Sequence, residues 1–396
     1  MDLDVTCYAC GSDGRLADGT RCACGEPHWL RTDAAGFEWP ETAERSLWRY
    51  RDLLPPVDPQ GLAAAAGGTP LVRADRLDDD VGARVHVKYE GANPTGTFKD
   101  RGSAVGVTVA EAAGAAAVGT VSHGNMARSM AAHAASAGLD CVVLVPADIP
   151  TERLGLIARY DPIVLRVEGG YDRLYEASLR VGRDHGVRFV NSDTPLRVAG
   201  QQTTGLEILE AFAPDGPDAV VVPVSSGGHA SGLWKAVREL ETAGLLADPP
   251  ALYFVQASAC APIAEAWARD ADAVAPVDGG ETVAYSIANA DPPSGTRVLA
   301  AARDTGGAVL AVADDAILAA RRTLVEQTGL FVESACATAL AGARDLAASG
   351  AFDPTDDVVL VATGTGFAER DVDPVDPTAR TVHVDALDGA LESVLS

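Results

Sequence analysis

The stretch "NPTGTFKDRGS", residues 93–103, decides the fold assignment because it places a lysine, Lys99, directly after a proline and glycine turn. Lys99 is predicted to open a helix, where a cation is electrostatically unfavourable. The same position lowers the pKa of the amine, which suits a nucleophilic lysine. Lys88, Lys99 and Lys235 are the only lysines in a chain with 31 basic residues. The choice of lysine at position 99 therefore indicates a task that needs a primary amine.

The chain around this stretch alternates between strand-like and helix-like segments. Strands that are apolar on both faces and alternate with helices are typical of parallel sheets flanked by helices. The number of strand-like runs is too large for one comfortable sheet, so we predict two α/β domains, each with a mostly parallel twisted sheet. The nine runs lie near residues 85, 118, 141, 163, 188, 219, 251, 308 and 357.

The same alternation gives a domain plan. We predict a zinc-ribbon-like lobe over residues 1–30 and a discontinuous large domain over 31–95 and 201–370, with a helix near its beginning. A smaller α/β domain over 96–200 starts at the lysine stretch, and an acidic surface tail covers 371–396.

Composition narrows the possible partners. A formal net charge of −25 and a pI near 4.5 disfavour nucleic-acid binding, because a phosphate polymer would meet a repelling field. No apolar run reaches membrane-spanning length and no export signal opens the chain, so we expect a cytoplasmic protein without membrane contact. The carboxylate-rich surface favours a salt-adapted cytosol, although a GC-rich genome explains part of the arginine bias.

Four of the seven cysteines, Cys7, Cys10, Cys22 and Cys24, cluster near the N-terminus. Four thiolates can close a tetrahedral structural zinc site that stabilises a small lobe. The second pair is spaced more tightly than usual, so His28 is an alternative ligand, and reduced thiols without metal are the other interpretation. The cysteines alone suggest a zinc-dependent nucleic-acid module, which the acidic charge opposes.

Three glycine-rich turns follow predicted strands, at residues 122–125, 225–229 and 363–366. Converging backbone amides at a helix N-terminus favour a phosphate group. None of the turns matches a Walker loop or a dinucleotide fingerprint, so ATP and nicotinamide cofactors are disfavoured. A small phosphorylated ligand is the better prediction.

Residues 93–102 closely resemble the lysine segment of threonine synthases, within the pyridoxal-phosphate enzymes of the tryptophan-synthase β-subunit type. The resemblance extends from about residue 65 to residue 367. It implies the type II fold and pyridoxal 5'-phosphate bound mainly by the large domain. It also implies that Lys99 carries the cofactor as a Schiff base and is the catalytic residue.

Other site residues follow from the resemblance. Asn125 would contact the phenolic oxygen of the cofactor, and Thr363 would contact its pyridine nitrogen. Backbone amides of one loop would hold the cofactor phosphate. This loop comprises Ser225, Ser226, Gly227, Gly228 and His229.

The stretch at residues 191–203 resembles the segment that binds the phosphate of O-phosphohomoserine, which implies substrate roles for Asn191, Ser192 and Arg197. The implied reaction converts O-phosphohomoserine and water to threonine and phosphate, in a protein that we expect to be a homodimer. The segment at 281–293 lacks the basic residue common in the family.

Because of that departure, paralogous enzymes on the same scaffold remain alternatives. They include a serine or threonine dehydratase and a β-replacement enzyme such as a cysteate synthase. A non-catalytic protein that retains the fold is a further alternative, which the intact lysine stretch opposes.

Overall fold

The computed structural model describes residues 2–122, 124–147, 149, 151–169, 171–369, 379 and 381–395. Within the predicted turn at 122–125, His123 lies outside the described residues, as do 371–378, 380 and 396 of the predicted tail.

The predicted strand pattern is confirmed. All nine predicted strands are present, from the strand at Arg84–Tyr89 to the strand at Asp357–Ala362. The strands are β1 (Asp4–Cys7), β2 (Asp13–Arg15), β3 (His28–Leu30), β4 (Leu71–Arg73), β5 (Arg84–Tyr89), β6 (Ala117–Val121), β7 (Asp140–Pro146), β8 (Ile163–Val167), β9 (Val187–Phe189), β10 (Ala219–Pro223), β11 (Ala251–Ala257), β12 (Ala308–Val312) and β13 (Asp357–Ala362). The helices are α1 (Asp78–Val81), α2 (Lys99–Ala112), α3 (Asn125–Ala137), α4 (Tyr171–His185), α5 (Pro195–Ala211), α6 (Gly228–Ala243), α7 (Pro262–Ala268), α8 (Gly295–Asp304), α9 (Asp314–Thr328), α10 (Ser334–Ala348) and α11 (Leu387–Leu395).

The larger sheet has six strands in the order β12-β11-β10-β13-β5-β4. All its neighbours are parallel except β4, which runs antiparallel to β5 at the edge. Successive side chains of β10 enter different cores: Val220 and Val222 pack on the face covered by α6 and α8, whereas Val221 packs on the face covered by α9 and α10. Burial on both faces explains the continuous apolar runs in the sequence.

The smaller sheet has four parallel strands in the order β8-β7-β6-β9. Val107 of α2 and Met130 of α3 pack with Val118 and Val143 on one face, and Leu174 of α4 packs with Val121 on the other. Two parallel sheets flanked by helices confirm the predicted α/β class.

A small antiparallel sheet, β2-β1-β3, forms the N-terminal lobe. The rings of Tyr8, Trp29 and Trp234 form a cluster with centroid separations of 5.1 to 5.7 Å, so the lobe packs on α6. The Trp29 Nε1–H donates a hydrogen bond of 2.8 Å to Ser231 Oγ on the same helix.

The helix predicted near the start of the large domain takes the form of short 3₁₀ turns, Ala34–Gly36 and Leu47–Leu53. Tyr50, at φ −94° and ψ 35°, interrupts the second turn. In the part of the chain that the structure describes, no helix combines the length and apolarity needed to cross a membrane.

Candidate active site

A cavity of about 680 Å³ opens where the carboxyl ends of strands from both parallel sheets meet. Ser122 follows β6, Val224 follows β10 and Thr363 follows β13. Ligands bind at these strand ends in open parallel sheets. The segment at 276–291 covers another side of the cavity, so groups from distant parts of the chain converge on one site.

Lys99 is the first residue of α2, as the sequence predicts, and its side chain lines the cavity. Its Nζ lies 4.2 Å from the centroid of the Phe98 ring. Burial and the nearby charge of Arg197 lower the pKa of Lys99 to about 7, with Glu333 acting in the opposite direction. The amine is therefore partly unprotonated, and thus nucleophilic, at neutral pH.

The other two lysines have structural partners. Lys88 Nζ lies 2.7 Å from Glu207 Oε2, and Lys235 pairs with Glu239 one helical turn away. Among the three lysines, Lys99 alone lines the cavity.

Asn125 begins α3 and lines the same cavity. Its Nδ2–H donates a hydrogen bond of 2.8 Å to Glu333 Oε2. Burial raises the pKa of Glu333 to about 7, since its contact with Asn125 only partly offsets the cost of desolvation. The contact leaves one Nδ2–H of Asn125 available to another acceptor. The approach of Glu333 to Asn125 gives no signal in the sequence, because 208 residues separate the two.

The predicted loop, Ser225 to His229, runs into the N-terminus of α6. Gly227 has φ 87°, and a Cβ there would lie 2.5 Å from the Ser294 carbonyl oxygen. A Cβ on Gly228 would overlap the carbonyl oxygen of Ser192. Only glycine fits these two positions, and the first amides of a helix have no intrahelical acceptor. The loop therefore offers free N–H groups and a positive helix end to an anion.

His229, the last residue of this loop, is held on two sides. Its ring stacks on Phe98 with centroids 4.1 Å apart and an interplanar angle of 17°, and its Nε2 lies 3.1 Å from Thr204 Oγ1. Burial and the charge of Lys99 place the pKa of His229 well below its usual value, so the ring is neutral.

Thr363 lies beside a cysteine that the sequence did not single out. Thr363 Oγ1 is 3.3 Å from Cys336 Sγ, and Cys336 Sγ accepts a hydrogen bond of 3.1 Å from the Gly364 amide. Burial and the nearby carboxylate of Glu333 raise the pKa of Cys336, so the thiol keeps its proton. The Thr363 hydroxyl is therefore held by an uncharged neighbour.

The predicted substrate residues occupy different environments. Ser192 lines the cavity. Asn191 is fully buried next to it, where its Oδ1 accepts a hydrogen bond of 3.0 Å from the Val121 amide and its Nδ2–H donates to Ser178 Oγ at 2.9 Å. Asn191 thus joins β6 to α4, and both of these side-chain bonds are made to the protein.

Arg197 is buried on α5 and is not among the residues that line the cavity. Its Nε–H and Nη2–H donate to the Val190 carbonyl at 3.1 and 3.0 Å, and its Nη1–H donates to the Lys99 carbonyl at 3.3 Å. Burial lowers the pKa of Arg197 to about 9. The structure brings Lys99, Asn125, the glycine loop, Thr363 and Ser192 together, whereas the guanidinium of Arg197 lies behind them.

The four N-terminal cysteines come together as the sequence predicts. All four Sγ atoms lie within 4.8 Å of one another, and the Cys7–Cys24 and Cys10–Cys22 pairs are 3.6 and 3.5 Å apart. A tetrahedral zinc with Zn–S bonds of about 2.3 Å requires sulfur separations of roughly 3.8 Å. The thiols therefore fit a structural zinc, and His28 is not part of this group.

The fold, the amine and the anion-binding loop together define a class of enzyme. The sequence model of the pyridoxal-phosphate dependent enzymes matches residues 62–364, and the chain belongs to that family. The residues fit the cofactor, because the glycine loop can hold a phosphate and Lys99 presents an amine of lowered pKa.

Relatives narrow the class to a pyridoxal-phosphate-dependent lyase. The chain is 35% identical to a threonine synthase from Methanocaldococcus jannaschii over 331 residues, which cover 83% of this chain and 82% of the relative. It is 34% identical to a threonine synthase from Mycobacterium tuberculosis over 355 residues, covering 87% and 96%.

Solved structures share the type II fold. Maize serine racemase superposes with a TM-score of 0.65 at 21% identity, covering 83% of this chain and 92% of that structure. The processed form of a threonine deaminase from Solanum lycopersicum gives a TM-score of 0.62 at 20% identity, covering 77% and 84%.

Proposed function

We propose that this chain converts O-phosphohomoserine and water to threonine and phosphate. The observation that carries the proposal is one cavity that the low-pKa amine of Lys99 and the N-terminus of α6 both face. The similarity to threonine synthases from two distant organisms supports this choice of reaction.

Each predicted residue has a role in this proposal. Pyridoxal phosphate, when bound, supplies an electron sink for negative charge at carbons near the substrate amine. Lys99 holds the cofactor and moves protons at Cα, Cβ and Cγ, while phosphate leaves from Cγ and water adds at Cβ. Asn125 donates to the phenolic oxygen, the loop from Ser225 to His229 holds the cofactor phosphate, and Thr363 contacts the pyridine nitrogen.

The substrate phosphate is assigned to Asn191, Ser192 and Arg197. Ser192 lines the cavity and supports this part of the proposal. For Arg197 to bind the substrate phosphate as well, its guanidinium must give up its hydrogen bonds to the Val190 carbonyl and donate to the phosphate instead. A phosphate is the stronger acceptor for an arginine fork, which favours the exchange.

The test measures phosphate and threonine formed from O-phosphohomoserine by the protein loaded with pyridoxal phosphate. Lys99→Ala should lose activity by at least about a thousandfold, together with the visible absorbance of the cofactor. Lys235→Arg, which can keep the ion pair with Glu239, is the matched control. Phosphate release no faster than in a blank would rule out the proposed reaction.

A dehydratase that acts on serine or threonine is the second candidate. No arginine lines the cavity among the described residues, and the covering segment at 276–291 contains no basic residue. A substrate without phosphate needs no such cation. Ketoacid formation from threonine, without phosphate release from O-phosphohomoserine, would favour this candidate.

We also propose a structural zinc on Cys7, Cys10, Cys22 and Cys24. Their sulfur positions support it, and a closed four-thiolate site has no catalytic position. Metal analysis should find about one zinc per chain, and Cys10→Ser should lower that content.

We further propose a homodimer that works in the cytoplasm of a salt-adapted cell. Sedimentation equilibrium in high salt checks the assembly, and a mass equal to one chain would contradict it.

A further inference from the structure

Arg21, on the N-terminal lobe, contacts two distant segments at once. Its Nη2–H groups donate to Asp193 Oδ2 at 2.6 Å and to the Pro293 carbonyl at 3.0 Å. Its Nη1–H donates to the Gly25 carbonyl at 3.0 Å. One guanidinium therefore joins the lobe to two segments that are 100 residues apart in the sequence.

These two segments are the ones that pack against the glycine loop. The Ser192 carbonyl, next to Asp193, lies against Gly228, and the Ser294 carbonyl, next to Pro293, lies against Gly227. In addition, the Ser294 amide donates a hydrogen bond of 3.0 Å to the Ser226 carbonyl. The loop thus lies between two segments of the chain, and Arg21 contacts both of them.

The contact with Asp193 differs from the exposed ion pairs of the lobe. Asp193 is only 4% exposed and also accepts a hydrogen bond from the Tyr175 hydroxyl. Burial raises the pKa of Asp193, and the charge of Arg21 is the largest opposing effect. Charge-assisted bonds to a buried carboxylate are stronger than neutral ones, so loss of Arg21 would leave Asp193 poorly compensated.

The cysteine cluster fixes the position of Arg21. Arg21 directly precedes Cys22, and the Gly25 amide donates a hydrogen bond of 2.9 Å to the Cys22 carbonyl, closing the turn that Arg21 also contacts. If the four thiols hold the zinc proposed above, the lobe presents the guanidinium at a constant place.

We propose that Arg21 is a positioning residue for the glycine loop. By joining Asp193 to Pro293, it holds in place the two segments that pack against residues 225–229. The N-terminal lobe thereby acts on the affinity for the cofactor without touching it. This inference rests on the proposed function only in assigning that loop to the cofactor phosphate.

The test uses Arg21→Ala, with Arg15→Ala as the matched control. Arg15 lies on the same lobe and, among the described residues, forms ion pairs with the exposed Asp2 and Asp4. Titration of the full-length cofactor-free protein with pyridoxal phosphate, followed by absorbance, should show a Kd raised about tenfold in Arg21→Ala and less than twofold in Arg15→Ala. Hydrogen exchange of amides 225–229 should accelerate in the first variant only. Arg21→Lys should give an intermediate Kd, because an ammonium can pair with Asp193 but has no fork to bridge both acceptors.

A second variant, Asp193→Asn, leaves the lobe unchanged and keeps the test decisive if Arg21→Ala misfolds. It should raise the Kd in the same direction, and the double variant should add little to either single one. A wild-type Kd and wild-type exchange in both variants would overturn the proposal, as would equal losses in Arg15→Ala. Because no substrate is present, a chain that fails to form threonine can still pass this test.

Discussion

Two ionisable groups of the cavity have pKa values near neutrality, which they reach by shifts in opposite directions. Burial lowers the pKa of Lys99 to about 7, and burial raises the pKa of Glu333 to about 7. In each case desolvation disfavours the charged form. At neutral pH small changes in environment therefore change the protonation of either group, which suits a site that must move protons.

The first prediction concerns Glu333 in cofactor-free protein. Its pKa is raised from 4.5 to about 7, so the folded chain binds more protons than the unfolded chain between these values. The free energy of unfolding should therefore fall as the pH rises through this window, by roughly 3 kcal/mol. Glu333→Gln should remove most of this slope in urea unfolding. Exposed Glu265→Gln is the control, and an unchanged slope in Glu333→Gln would mean that burial of this carboxyl is not the cause.

Lys99 could be predicted because two of its features can be read from the sequence alone: lysine is rare in this chain, and Lys99 stands at the start of a helix. It did not anticipate the burial of Arg197, because the acceptors that hold this side chain are backbone carbonyls of Val190 and Lys99. Backbone acceptors have no sequence signature. The approach of Arg21 to Asp193 is hidden for a related reason, since only the folded chain brings the lobe to that segment.

At the scale of elements, the start of α6 depends on the absence of a side chain. We predict that Gly228→Ala weakens pyridoxal-phosphate binding by at least about tenfold, because its Cβ overlaps the Ser192 carbonyl and forces the loop to move. Gly244→Ala, at the other end of α6, is the control. It meets no atom within 4 Å and should cost about 1 kcal/mol of stability through its φ of 70°, without a change in cofactor affinity. Equal affinity in both variants would remove the steric argument.

A buried ionic network fastens α2, and thus Lys99, to its neighbours. Arg101 is fully buried, with Nε 2.7 Å from Glu90 and Nη1 2.6 Å from Glu207. Arg101→Ala leaves buried carboxylates without this partner, so we expect a loss of about 3–5 kcal/mol in denaturant unfolding. Arg238→Ala, which breaks an exposed pair with Asp304, should cost less than about 1 kcal/mol. A small effect of Arg101→Ala would mean that packing alone fixes α2.

Long-range pairing explains which elements the sequence could not specify. The nine strands β5 to β13 carry apolar, mostly β-branched runs and were predicted. β4 has only three residues and exists because β5 offers it an edge. The 3₁₀ turns before it depend on packing of Trp48 and Tyr50, which local pattern does not encode.

For the whole molecule, the dominant feature is a formal charge of −25. Repulsion among surface carboxylates destabilises the folded state, and salt shortens its range from about 10 Å at 0.1 M to about 3 Å at 1 M. We predict that Tm rises by about 5 °C or more between these concentrations, corresponding to roughly 4 kcal/mol for a chain of 396 residues. Scanning calorimetry in NaCl and KCl checks this, and both salts should act alike because screening depends on ionic strength. A flat response would argue against salt adaptation.

The pairing of Lys88 and Lys235 with buried carboxylates has a practical consequence for chemical biology. Of the three lysines, an amine-directed acylating reagent applied at neutral pH finds one that is both accessible from the cavity and partly unprotonated, Lys99. Peptide mass mapping of cofactor-free protein should therefore show a single modified lysine, and saturation with pyridoxal phosphate should block that label. The chain thus carries a built-in attachment point for fluorophores or covalent inhibitors, which a lysine-rich homologue would lack.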